Sequence, residues 1–292
     1  MTANDVSRLP PEFTRKGRID EIYGIYLPTH DERLEIFRIH LGLKNRDPDG
    51  FDLDVLAPAT LAVLALRLEW LAAQKRYDEL AGFATNPPAG TPDVSTLREL
   101  ATTMLASTGD AGNLKSAMNL CRMVVQAEPR RVSAHMNIGQ LSMMANDMVA
   151  AETAYRQVLE IEPDHQQALN NLAWILGTLV GKPDEALKLA DRGVAKYPAD
   201  AYVRDTRAAI LIRLKRLDEA KADLERCLKL VSAVPMTQVN ALRQLGQIHA
   251  QQGQTGLARK SCDEALKIDQ AQHVLSEADR NSVRQALEAL PQ

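Results

Sequence analysis

The sequence predicts an all-α fold, a solenoid built from stacked helix-turn-helix units. Three observations predict it. From about residue 94 onward, small residues recur in register: Ala101, Gly139, Ala173, Ala208 and Gly246 form one row, and Ala117, Ala151, Ala186, Ala220 and Ala258 a second. Pro129, Pro163 and Pro198 close three successive units at spacings of 34 and 35 residues. The 292-residue chain is 45% hydrophobic but only 4% aromatic, which disfavours a sheet sandwich or barrel resting on aromatic and β-branched strands.

Residues 1–57 have no counterpart in the repeat. Their ordered segments are Thr2-Ala3-Asn4-Asp5, Leu9-Pro10-Pro11-Glu12-Phe13, Arg15-Lys16-Gly17-Arg18-Ile19-Asp20-Glu21-Ile22, Leu27-Pro28 and Glu32 to Leu41. Together they resemble the later part of an AAA-type ATPase module, as an incomplete fragment of one strand plus helix. The resemblance implies that Asn4 matches a γ-phosphate sensor, and that Arg15 and Arg18 match arginine fingers reaching across a subunit boundary. Such a finger places its guanidinium fork on the charge that develops in phosphoryl transfer. No Gly-x-x-x-x-Gly-Lys-Ser/Thr loop accompanies them. The nearest string, Gly177 to Lys182, has three residues between its glycines, and Pro183 stands where the hydroxyl belongs; it reads as a turn. With no phosphate loop and no acidic magnesium strand, no catalytic residue, cofactor or metal is expected, and the chain is expected not to be an enzyme unless its true start lies upstream.

Residues 58–92 read as a degenerate helical hairpin, Leu61 to Phe83, followed by the proline-rich connector Asn86 to Pro92. Residues 93–273 hold five repeat units. Beyond the two small-residue rows lie a third, Cys121, Tyr155, Ala190, Leu224 and Cys262, and a fourth, Val124, Val158, Gly193, Cys227 and Ala265. Gly or Ala at a crossing lets two helix backbones approach, and larger apolar neighbours at i+3 and i+4 fill the groove to the next unit. Proline stops the second helix because it has no N–H and pushes the preceding residue out of the α region. The register, with Leu172-Ala173-Trp174, Asp184-Glu185-Ala186 and Asp218-Glu219-Ala220, resembles the tetratricopeptide repeat family. The resemblance implies a right-handed superhelix. Two departures are the longer link at Thr108 to Asn113 and an insertion around Val231 to Met236. Residues 274–292 are expected to form a capping helix begun by Ser276.

In the repeat family the first helices line a concave groove. By register, Met136, Asn137, Gln140, Asn170, Asn171, Trp174, Asp205, Arg213, Arg243, Gln244 and Gln247 are expected to face it. Asn and Gln amides both donate and accept, which suits the backbone of an extended peptide, and Arg213 and Arg243 are suited to a forked contact with a carboxylate. The expected partner is therefore a protein or peptide, with a complete AAA-type ATPase as the alternative; the chain would then be its regulator, or a part missing an upstream nucleotide-binding half. That face being merely solvated is the plain competing reading.

Other side chains carry less. The 35 basic and 38 acidic residues concentrate nowhere, with 8 and 11 in the first 55 positions and 27 of each beyond, so no nucleic-acid partner is implied. Leu56 to Leu66 is too short and interrupted to span a membrane. Asp47, Asp49, Asp52 and Asp54 lack the glycine offset and closing Glu of a calcium loop, and read as a solvated connector. The six histidines show no ligand spacing and read as surface or satisfied structural residues. Cys121, Cys227 and Cys262 fall on core rows and read as small apolar filler, which fits a reducing cytoplasm. Seven of nine methionines lie between Met104 and Met148 and read mainly as core filler, with Met136 and Met143 on the groove row.

Overall fold

A computed structural model describes residues 61–230 and 235–289, and every regular element among them is a helix. The N-terminal fragment, with Asn4, Arg15 and Arg18, lies outside the described residues. The chain divides into two compact units, Met1–Ala145 and Asn146–Gln292.

The first unit contains α1 (Leu61–Ala73), α2 (Tyr77–Thr85), α3 (Val94–Ala106), α4 (Ala111–Ala127) and α5 (Val132–Met144). Aspartates start two of these helices: Asp93 and Asp110 each accept a backbone N–H three residues on, satisfying donors that the first helical turn leaves orphaned. Leu64, Leu68, Leu71, Leu80, Leu97, Leu105 and Leu120 make one core with Ala101, Ala117 and Cys121. Arg131, at the entrance to α5, ties back to α3 through a forked contact with Glu99 at 3.0 Å on both nitrogens, and donates to Thr96 at 2.7 Å. Buried His135 is satisfied by the Pro129 carbonyl at 2.8 Å.

The second unit contains α6 (Met148–Ile161), α7 (Gln166–Trp174), α8 (Pro183–Lys196), α9 (Ala201–Arg213), α10 (Leu217–Leu230), α11 (Pro235–Gln251), α12 (Thr255–Gln272) and α13 (Glu277–Glu288). Helices α7, α9 and α11 lie side by side, each packed on its hairpin partner α8, α10 or α12. The hairpins turn on residues with left-handed φ, Gly181, Lys215 and Gly253 in this unit.

All four sequence rows are buried at all twenty positions. At two of the glycines the small size is enforced by geometry. A Cβ on Gly193 of α8 would come within 2.6 Å of Val203 Cγ1 in α9, and one on Gly246 of α11 within 2.8 Å of Cys262 Sγ in α12. The three thiols are buried and free; burial pushes Cys121 up to about 11 and Cys227 to about 12, so they serve as filler.

Two local features depart from expectation. The stretch from Gly177 to Lys182 is only partly a turn, because α7 continues as a π-helical turn over Ile175–Leu179. Thr178 donates to the Trp174 carbonyl at 2.5 Å there, and Gly177 is pressed against α9, where a Cβ would lie 2.5 Å from Ile210 Cγ1. His249 of α11 is buried with neither ring nitrogen hydrogen-bonded, so it is not the satisfied residue expected; its burial, first, and Lys221 hold its pKa below the usual histidine value. The last helix, α13, starts at Ser276, which accepts the Asp279 N–H at 3.1 Å.

Candidate functional site

The face of the second unit made by α7, α9 and α11 carries side chains at helical spacing: Asn170 and Trp174 on α7, Tyr202 and Asp205 on α9, Arg243 and Gln247 on α11. Residues three and four apart share a helix face. Gln247 and Arg213 are exposed, whereas Asn170, Asn171, Trp174, Asp205 and Arg243 are half-buried.

Asp205 and Gln244 form the polar centre. Gln244 is 9% exposed and its Nε2 donates to Asp205 Oδ1 at 2.6 Å. Burial pushes the Asp205 carboxyl up to about 6, against the opposing pull of the Gln244 hydrogen bond and the nearby Arg243 charge. Three buried atoms on this face have no hydrogen-bond partner: Arg243 Nε, Gln244 Oε1 and Asn170 Oδ1. A buried polar atom left unpaired costs about 1–3 kcal/mol. One donor and two acceptors on this face are thus buried and unmet within the protein.

Not every expected groove residue is available. Asn171 donates from Nδ2 to the hydroxyl of fully buried Tyr155 at 3.1 Å, so its amide supports the α6–α7 packing. Gln244 offers only its unpaired oxygen. In the first unit, Met136 on α5 is 6% exposed and acts as core, Asn137 is half-buried and Gln140 exposed. Sequence reading missed Tyr202, which is 56% exposed on α9. Its signal was its place three residues before Asp205, on the same face.

These observations define an all-α repeat protein with a polar, aromatic-flanked first-helix face. Residues 142–210 and 197–271 each match a family model described as "Tetratricopeptide repeat". The chain carries tetratricopeptide repeats. It is similar in fold to PilW, a type IV pilus biogenesis factor, at 19% identity, covering 68% of this chain and 87% of PilW with a TM-score of 0.56. A tetratricopeptide repeat protein from Parabacteroides merdae ATCC 43184 is similar over 95% of this chain and 94% of its own, at 17% identity and a TM-score of 0.53. At these identities the likeness is one of fold. A different likeness runs over 57 residues, 19% of this chain, which are 42% identical to an uncharacterized AAA domain-containing protein, ycf46, of Guillardia theta. The chain spans 11% of that relative's length. No helix among the described residues is long and apolar enough to cross a membrane.

Proposed function

We propose that this chain is a non-catalytic protein-interaction scaffold whose α7, α9 and α11 face binds an extended segment of a protein partner. The carrying observation is the set of unmet hydrogen-bonding atoms on that face, Arg243 Nε, Gln244 Oε1 and Asn170 Oδ1, beside Trp174 and exposed Tyr202. An extended peptide offers alternating N–H and C=O groups that meet such donors and acceptors without demanding one side chain. Arg243 and Arg213 add a preference for an acidic residue. The test is panning of a random peptide library against the intact chain, followed by affinity measurements on the Asn170→Ala/Arg243→Ala double variant. A loss of at least tenfold in a folded variant is expected; unchanged affinity overturns the assignment.

A second reading rests on the AAA-type match: the chain regulates or forms part of an AAA-type ATPase, with Arg15 or Arg18 acting in trans. Phosphate release by a complete AAA-type ATPase, measured with and without this chain, separates the two: stimulation that is lost in Arg15→Ala/Arg18→Ala supports the second reading, and no stimulation removes it.

A further inference from the structure

The peptide face continues into a cleft between α11 and α13. Helix α13 is held down at its start and along one side. Buried Asp269, 1% exposed, accepts from Arg280 Nε at 2.5 Å and from the Leu275 N–H at 2.8 Å, and Val283 is sunk into the core at 1% exposure. Small residues nevertheless line the cleft at i and i+4 on each helix, Gly246 and Ala250 on α11 and Ser282 and Ala286 on α13, with Arg243, Gln247 and Gln251 of α11 beside them. A Cβ on Gly246 would meet Cys262 Sγ at 2.8 Å, so the room lies beside Ala250, Ser282 and Ala286 and not at Gly246 itself. A cavity of about 230 Å³ remains, with Cys262 and Val283 buried beneath it and Ala250 and Ala286 exposed beside it. An engineered apolar cavity of about 150 Å³ accepts benzene, so the cleft has room for a Leu, Met or Phe side chain. Arg243 and Gln247 belong both to this cleft and to the peptide face, and the Arg243 Nε lacks a partner.

We propose that this cleft is an anchor socket for one bulky apolar side chain of the bound peptide, with the carboxylate of an adjacent acidic residue resting on Arg243. The proposal rests on the peptide reading above and adds the partner's chemistry: a bulky apolar residue beside Asp or Glu. Apolar anchors in desolvated pockets dominate such interfaces, and the positive end of the socket supplies the charge preference.

The experiment is panning of a random peptide library on the intact chain, with the selected peptides measured against wild type and Ala286→Trp. Position 286 is exposed, and thermal melting checks that the filled variant folds; Ala250→Phe is the second filling variant. Selected peptides are expected to share the apolar–acidic pair, to lose at least tenfold on Ala286→Trp, and to lose no more when the peptide's apolar residue is also changed to alanine. Peptides that bind both filled variants as wild type but fail on Asn170→Ala/Arg243→Ala overturn the socket and leave the peptide face standing. If no peptide is selected, both fail. Self-association removed by Ala286→Trp in analytical ultracentrifugation would give the cleft to a second copy of the chain and also overturn the proposal.

Discussion

Two aspartates on neighbouring helices of one hairpin meet opposite fates. Asp223 of α10 is 2% exposed and carries two arginines: Arg207 grips it at 2.6 and 2.7 Å, and Arg204 donates at 3.0 Å. Arg207 also reaches Asp191 of α8 at 3.0 Å, so one guanidinium joins two repeats. Asp205 of α9 is hydrogen-bonded by the neutral Gln244 amide, and burial pushes its carboxyl up to about 6 despite the nearby Arg243 charge. The α8–α9–α10 crossing is closed chemistry, with its charges met inside the protein. On the α9–α11 face, Arg243 Nε and Gln244 Oε1 are buried with no hydrogen-bond partner inside the protein. A repeat array of this kind divides its polar residues between holding itself together and meeting a partner, and burial alone does not tell the two apart.

The contrast is broken most forcefully at Asp223. Asp223→Ala leaves Arg204 and Arg207 without their shared acceptor, and the expected cost is about 3–5 kcal/mol in urea unfolding. A loss below about 1 kcal/mol would mean that the pair is no more than a surface contact. Next in size is Asp205→Asn. With a folded value of about 6 against an ordinary value near 4, the native state keeps a proton that the unfolded chain has released. Stability therefore falls as pH rises from about 4 to about 6, by up to about 2 kcal/mol once residual exposure is allowed for. The amide removes that window and leaves the variant more stable than wild type at pH 7, as melting curves at pH 4.5 and 7 will show. A smaller effect is expected at the closed crossing, where Gly193→Ala sets a Cβ against Val203 Cγ1 and costs about 1 kcal/mol, the overpacking being offset in part by better helix propensity. Val203→Ala in the same chain should recover part of it; independent, additive losses would show that the two do not touch.

Much of the closed region was legible in the sequence. The rows through Ala101, Ala117, Cys121 and Val124 and their successors are periodic, and the crossing geometry that demands small residues repeats with the chain. The partnerships across crossings were not legible. Arg207 meets Asp223 at a separation of 16 residues and Gln244 meets Asp205 at 39, distances that no periodicity marks. Asn171 was expected on the open face because its helix position points that way. Its amide instead turns to the Tyr155 hydroxyl, a partner that only the packed α6–α7 pair reveals. Tyr202, exposed on α9, is marked in the sequence only by its place three residues before Asp205. The π turn after Trp174 leaves no trace in residue type, yet it decides how Gly177 meets Ile210 and hence how α7 sits beside α9.

The central claim, that the open face exists to be completed by a peptide, is tested most directly by isothermal titration of a library-selected peptide into wild type, Asn170→Ala/Arg243→Ala and Asp205→Asn at one pH. The account predicts at least a tenfold weaker affinity for the double variant at unchanged melting temperature, about 1.4 kcal/mol or more in binding. Equal affinities for wild type and the folded double variant would contradict it.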